Sequence, residues 1–279
     1  MKGYCTFLEL GRYGRFANQI FQIAGTIGIA RKNGLEPVFP LWTNHDHKDR
    51  FGSKEDVDLW KHFINPLPVL PEGVTGYQTV NVQWGYHDLK LNSRQNWGIS
   101  GHLQSYKYFS HCIEEVRKYM TMKNEFPRNK CVAMHVRRGD YDDKYHPRLS
   151  VEYYARATLE FPVDTTYHVF SDDIVAVHDE FVQYFTRFLT DITYAQGLEF
   201  LKRRFRFVNY DEPMYDYIES FKLMKSCSGF IIGNSSYSAA AAMLSDAPGK
   251  KVVAPRNWFG QAYAGINAND IYCEDWIVI

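Results

Sequence analysis

At 279 residues the chain has room for one large or two modest domains, and 45% hydrophobic content with 16% aromatic residues supplies real cores and excludes a disordered polypeptide. Lys plus Arg and Asp plus Glu both number 32, so the net charge is zero and the global basic footprint of a duplex-binding protein is absent. Nucleic acid is not an expected partner. The five cysteines (Cys5, Cys112, Cys131, Cys227, Cys273) are odd in number and widely spaced, without a Cys-x-x-Cys pair. They read as free thiols in a reducing compartment, with neither a disulfide framework nor a zinc motif.

In chain order, Phe7-Leu8-Glu9-Leu10 reads as a short buried strand feeding the glycine turn Gly11-Arg12-Tyr13-Gly14. Phe16, Ile20, Ile23, Ala24 and Ile27 then recur at helical spacing, and Gly34 is a natural C-terminal stop. Residues 40 to 105, rich in His, Asp, Asn, Pro and Trp, read as loops and short elements. The polar stretch from Asn124 to Lys130, with Pro127, marks a boundary between an N-terminal α/β domain (1–126) and a second domain (127–250), with 251–279 available to return to the first. The second domain opens on the strand Cys131 to Val136. It continues through a helix at Val151 to Ala157, a strand at Tyr167 to Phe170, a strand at Gly229 to Ile232, and a helix after Ser236. Strands alternating with helices predict parallel α/β sheets. No window reaches the roughly 18 apolar residues of a spanning helix, and the start lacks a signal pattern, so a cytoplasmic protein is expected.

Four polar clusters follow directly on apolar runs: 11–19, 137–140, 171–173 and 233–236. In parallel sheets ligands bind at the C-terminal strand ends, where loops meet helix N-termini. Arg137 and Arg138 cannot lose their charge and need anions or water, and a guanidinium fork matches phosphate oxygens. Strand alternation predicts that the two side chains point to opposite faces, one to an anionic ligand and one to a local carboxylate such as Asp140. Ser235 and Ser236, after Asn234, offer hydroxyls and backbone N–H groups at a helix start, serving an anion or simply capping the helix. Gly14 and Asn18 allow close backbone approach to a phosphate, although the segment is no G-x-G-x-x-G fingerprint. Asp172 and Asp173 read as ribose ligands or helix caps. The run His45-Asp46-His47-Lys48-Asp49 is dense in potential metal ligands but reads as an exposed loop. His87 and His102 are candidates for contact with an acceptor.

Together, Gly14 to Gln22, His135-Val136-Arg137-Arg138-Gly139-Asp140-Tyr141, Glu152-Tyr153-Tyr154, Phe170 to Asp173, Asn234 to Ser238 and Val252 to Phe259 resemble, in order, the α-1,2-fucosyltransferases of glycosyltransferase family 11. The resemblance implies a GT-B-like arrangement of two facing Rossmann-like α/β domains with the nucleotide-sugar site in the crevice between them. It also implies a GDP-fucose donor, a glycan acceptor joined α-1,2 to galactose, inversion at the anomeric carbon, and neither cofactor nor metal. Carried over residue by residue, it gives Arg137 the donor diphosphate and places His135 near the nucleotide. Ser235 and Ser236 fall on phosphate, and Gly14, Arg15 and Asn18 along the donor. The family's acidic residue ahead of Leu-Met-x-x-Cys falls here on Ser220, beside Glu219. Ala17 stands in place of a second glycine, and Ala239 and Ala240 in place of two tryptophans.

An inverting transfer needs a base for the acceptor hydroxyl. Asp142 and Asp143 are the candidates, since Asp140 is better placed to orient an arginine. Two other readings remain open at this stage: the same fold with a different nucleotide-sugar donor, and a non-enzymatic carbohydrate-binding protein using its many aromatics.

Overall fold

The computed structural model describes residues 2–12, 14–43, 58–187, 199, 201–211 and 215–279. The His45 to Asp49 run lies outside the described residues. The chain divides into two compact units, one of residues 1–124 with 266–273 and one of 125–265 with 274–279. The second unit thus begins at residue 125, and of the C-terminal stretch only 266–273 joins the first unit. Among the described residues no helix is long and apolar enough to cross a membrane.

The first unit holds a four-stranded sheet of β1 (Tyr4–Thr6), β2 (Glu36–Pro37), β3 (Gln78–Asn81) and β4 (Trp97–Ser100), ordered β2-β1-β4-β3 with every pairing parallel. The strand expected at Phe7 to Leu10 is displaced to Tyr4–Thr6. Residues 7–12 instead form turns, with Leu10 N donating to Phe7 O (3.2 Å) and Arg12 N to Glu9 O (3.0 Å). Phe7 and Leu10 are buried while Leu8 is exposed, a spacing of three that a turn produces and a strand does not. Helix α1 (Phe16–Lys32) follows and ends before Gly34, whose φ of +69° is the left-handed stop foreseen from its position. A short α2 (Ile113–Tyr119) closes the unit.

Helix α1 is buried on nearly every side, including the polar Gln19, Gln22 and Thr26. Gln19 is satisfied at both ends of its amide, donating to Gly14 O (2.8 Å) and accepting from Trp42 Nε1 (2.6 Å). Gly28 lets another segment press against the helix. A Cβ there would lie 1.9 Å from the carbonyl oxygen of Tyr108.

The second unit carries a six-stranded, wholly parallel sheet. Its strands are β5 (Asn129–Val136), β6 (Tyr167–Ser171), β7 (Phe205–Phe207), β8 (Cys227–Ile231), β9 (Val252–Ala254) and β10 (Ile277–Val278). Among the described residues its helices include α3 (Val151–Thr158), α4 (Ile174–Arg187), α5 (Tyr217–Lys225) and α6 (Ser236–Leu244). The spatial order is β10-β9-β8-β5-β6-β7. The chain therefore runs outward from β5 through β6 to β7, returns to β8 on the other side of β5, and runs outward again. This is the doubly wound Rossmann order, and its reversal point lies between β5 and β8.

Period-two alternation sorts the central strand. Val132, Met134 and Val136 pack with Tyr154 and Ala157 of α3 and with Val177, Phe181 and Val182 of α4 in one core. The intervening residues Cys131, Ala133 and His135 point to the opposite face, where His135 meets Ser238 of α6. All of these β5 side chains are buried, as a parallel strand covered on both faces requires.

Gly28→Ala is expected to lower stability by about 1–3 kcal/mol through overpacking against backbone that has no rotamer to give way. Gly265, with nothing within 4 Å of an added Cβ, is the control, and its replacement by Ala should stay within about 0.5 kcal/mol of the parent in urea denaturation.

Candidate functional site

At the C-terminal end of β5 the alternation carries on into the two arginines. Arg138 turns inward and is 5% exposed. Its Nε and Nη2 donate to the Glu180 carboxylate of α4 (3.1, 3.1 and 2.6 Å), and its Nη1 to the carbonyl of Arg137 (3.0 Å). Arg137 points the other way. It donates from Nη2 to Asp140 Oδ1 (2.6 Å) and pairs through Nη1 with Asp172 Oδ2 (3.1 Å), its guanidinium 5.5 Å from the ring centre of Tyr141. Burial works against its charge, but Asp172 and Asp140 outweigh it and raise the pKa above the ordinary arginine value. The opposed faces read from alternation are thus present, but Arg138 is held by Glu180 rather than by a loop carboxylate, and Asp140 pairs with Arg137 instead.

Asp172, just beyond β6, joins the two loops: its Oδ1 accepts from Arg138 N (2.8 Å) while its Oδ2 faces Arg137. This needs a glycine at position 139, because a Cβ there would lie 2.1 Å from Asp172 Oδ2. Asp173 does something different. Its Oδ1 accepts from Ala176 N (3.2 Å) in the first turn of α4, so the capping alternative describes its contact.

Across the reversal point, β8 ends in Gly233-Asn234-Ser235-Ser236, the start of α6. Ser235 is the N-cap, its Oγ accepting from Tyr237 N (3.4 Å), and Ser236 is the first helical residue. Asn234 is buried and donates from Nδ2 to Pro147 O (3.0 Å) and Trp258 O (3.2 Å). The Tyr141 hydroxyl donates to Asn234 O (2.7 Å), tying the arginine loop to the serine turn. Burial pushes that phenol up to about 12, which keeps it a neutral donor. His135 lies beneath, with Nδ1 3.0 Å from Ser238 Oγ. Burial, with the Arg137 charge adding to it, depresses its imidazole from the ordinary 6.5 to about 3, so it is neutral at physiological pH.

The remaining candidates fall as follows. Asp142 Oδ1 accepts from Lys144 N (3.0 Å) and Tyr145 N (2.8 Å), the contacts of a turn. Asp143 is exposed and makes no hydrogen bond or ion pair among the described residues. Glu219 and Ser220 sit in the first turn of α5, whose N-cap Asp216 accepts from Glu219 N (2.8 Å), and Glu219 pairs with the buried Lys222. Ala239 and Ala240 are 0% and 2% exposed, packed inside the fold. In the first unit, Gly14 has φ +76° and Arg15 occupies the N-cap position of α1. Asn18 Oδ1 accepts from Gln104 Nε2 (2.7 Å). His102 stacks on Trp84 at 4.3 Å between ring centres, and His87 Nε2 lies 3.2 Å from Trp84 O, so both histidines gather at one tryptophan.

Sequence reasoning assigned no role to Tyr141, Glu180 or Ser238. Tyr141 was visible as an aromatic inside the arginine motif. Glu180 and Ser238 sit on helices 42 and 103 residues away from their partners; Ser238 lies inside the serine motif but without a sign of its partner, and no local signal marks Glu180.

A doubly wound parallel sheet whose reversal point is flanked by an arginine loop and a helix N-terminus defines a Rossmann-like α/β protein with an anion-suited strand end. Residues 82–279 match the sequence model of Glycosyl transferase family 11, well over half of the chain, and the chain belongs to that family. The Gly14 to Gln22 segment lies ahead of the matched range. The chain is similar to the O-antigen biosynthesis glycosyltransferase WbnK of Escherichia coli, at 31% identity over 150 residues covering 52% of this chain and 43% of that protein. It is also similar to a galactoside 2-alpha-L-fucosyltransferase of Caenorhabditis elegans, at 31% over 178 residues covering 54% of this chain and 42% of that protein. The match thus spans less than half the length of either relative. Among solved structures, the Bradyrhizobium fucosyltransferase NodZ aligns with a TM-score of 0.47 and 11% identity, covering 88% of this chain and 94% of that one.

Neutral His135 couples folding to pH. The unfolded state binds a proton below about pH 6.5 and the folded state only near pH 3, so this group makes stability fall as pH drops through that window. His135→Asn should flatten the stability–pH slope between pH 6.5 and 3 by up to about 1.4 kcal/mol per pH unit, read from denaturation midpoints of both proteins across the range.

Proposed function

We propose that this chain is a glycosyltransferase that moves L-fucose from GDP-fucose to a hydroxyl of a glycan acceptor, α-1,2 to galactose. The observation that carries the reading is the placement of Arg137, partly exposed, at the end of β5 on one side of the reversal point. The capped N-terminus of α6, at Ser235 and Ser236, stands on the other. Family membership and the name of the Caenorhabditis elegans relative support the sugar and the linkage. The GT-B arrangement of the two units and an inverting course without a metal at the donor come with the family resemblance and belong to the same proposal.

In this reading the diphosphate meets Arg137 and the N–H groups opening α6, and takes over part of the guanidinium that Asp140 now holds. As the glycosidic bond to the diphosphate breaks, negative charge grows on the leaving oxygen, and a preoriented guanidinium and helix end stabilise that charge more than the ground state. Asp172 fixes Arg137 from behind, and Arg138 with Glu180 anchors the loop rather than the ligand. His135, neutral and hydrogen-bonded to Ser238, packs below the nucleotide without adding charge. Glu219 and Ser220 read the base edge, and Gly14, Arg15 and Asn18 line the donor. Trp84 with His87 and His102 provides a stacking surface for acceptor sugar. Asp143, uncommitted within the described structure, takes the acceptor proton, while Asp142 holds the turn that presents it.

The test is a thermal-shift panel of GDP, UDP, CDP and dTDP beside a fucosyl-transfer assay. GDP should stabilise most, by about 2.7 kcal/mol at a hundredfold excess over its Kd, and Arg137→Ala should lower kcat/KM on the order of 100- to 1,000-fold while the variant stays folded. UDP or CDP stabilising more than GDP would move the protein to another donor, and an active Arg137→Ala would remove the diphosphate assignment. Asp143→Asn is expected to cut kcat by roughly 100-fold or more with donor KM unchanged. If Asp142→Asn shows that split and Asp143→Asn does not, the base assignment passes to Asp142.

A further inference from the structure

At the opposite ends of the same strands lies a cluster that the transfer reaction does not use. Cys131 is the third residue of β5, His168 the second of β6 and Cys227 the first of β8, so three neighbouring strands each place one donor near the N-terminal edge of the sheet. All three are buried, at 4%, 6% and 0% exposure. The two sulfurs are 3.0 Å apart, and the two sulfurs and one imidazole nitrogen all lie within 4.8 Å of one another. His168 Nδ1 is buried and makes no hydrogen bond of ordinary geometry, a costly state for a polar atom removed from water, while the ring interacts with the neighbouring Cys131 thiol. The pairing of β5 with β8 is irregular between Asn129 and Val132, the stretch that holds Cys131. Sheet irregularities of this kind re-aim a side chain at functional positions.

From this geometry we infer that Cys131, His168 and Cys227 form a binding site for one thiophilic d10 cation, Zn2+ or Cu+, built into the sheet of the second unit. Two thiolates and an imidazole with no carboxylate match soft cations and reject Mg2+, Ca2+ and Mn2+. Metal–sulfur bonds of about 2.3 Å and metal–nitrogen bonds of about 2.0 Å place ligand atoms roughly 3.7–4.0 Å apart. The sulfurs must therefore separate by less than about 1 Å, and the spread of the three atoms already encloses the required space. Binding deprotonates both thiols, releasing their protons to solvent, and engages one nitrogen of the His168 imidazole. Six residues of strand, about 20 Å, separate Cys131 from Arg137, so the cation bridges three strands as a structural clamp and takes no part in transfer. The inference stands whether or not the donor is GDP-fucose.

The full chain, purified under reducing conditions, is titrated anaerobically with Zn2+ against a chromophoric chelator and, separately, with Cu+ against a Cu+ chelator. One cation per chain is expected. Cys131→Ser and Cys227→Ser should each weaken binding by on the order of 100-fold or more, while Cys5→Ser and Cys112→Ser leave it unchanged. The tighter arm names the metal. Should the serine variants fail to fold, X-ray absorption on the loaded parent protein decides. A shell of two sulfurs at about 2.3 Å with one nitrogen near 2.0 Å supports the site, and a shell of nitrogen and oxygen alone overturns it. The inference also fails if neither native nor refolded protein retains a cation, if the serine variants keep the parent affinity, or if mass spectrometry finds Cys131 and Cys227 joined as a disulfide with no metal bound.

Discussion

Two guanidinium groups in successive positions at the end of a buried parallel strand set the central constraint. They cannot both enter the core and cannot both leave it, because adjacent side chains on a strand point to opposite faces. Arg138 takes the face of α3 and α4 and reaches Glu180, whose side chain is 39% exposed, so one end of this ion pair still meets water. That partial exposure lowers the desolvation penalty that a sealed pair would carry. Arg137 takes the face of α6, whose own residues carry no carboxylate. It is held by Asp140 in its own loop and Asp172 in the next. The core-facing arginine fixes the backbone, and the fixed backbone aims the other.

The doubly wound order converts this local arrangement into a site. Because the chain leaves β5 in one direction and later returns to its other flank, the loops after β5 and β8 open side by side with no crossover covering the gap. Tyr141 donating to Asn234 O is the direct tie between those loops, and Asn234 extends the tie to the carbonyls of Pro147 and Trp258. The Tyr141 hydroxyl and Asn234 Nδ2 are spent on carbonyls and Ser235 Oγ caps Tyr237 N, which leaves the other N–H groups at the start of α6 as the open polarity of a helix N-terminus. Preorganisation here comes from hydrogen bonds to backbone, whose positions the sheet already dictates.

The same strands serve two ends of one sheet in different ways. At the C-terminal edge, β5, β6 and β8 deliver Arg137, Asp172 and Ser235, a charged and partly wet set. At the N-terminal edge they deliver Cys131, His168 and Cys227, a dry and soft set. His135 and Cys131 share a face of β5 four residues apart, and His135 finds a hydroxyl where His168 Nδ1 finds none. Both imidazoles are buried, and they differ in whether a neighbouring element supplies a hydroxyl to the ring.

The sequence by itself determined the parallel α/β class, the helix from Phe16, the strand ending at Val136, the opposed arginines and the serine cap of α6, because each depends on spacing within a few residues. It misplaced the first strand, since Phe7 and Leu10 are apolar in a turn as readily as in a strand. It also left β2, β3, β4, β7, β9 and β10 unseen, being too short to show a period. Only the tertiary structure decided that Glu180 rather than a loop carboxylate holds Arg138, that Asp173 caps α4 while Asp172 braces Arg137, and that three widely spaced residues converge as Cys131, His168 and Cys227. Those outcomes depend on which strands lie side by side, and strand order is set by long-range pairing that no local window of sequence records.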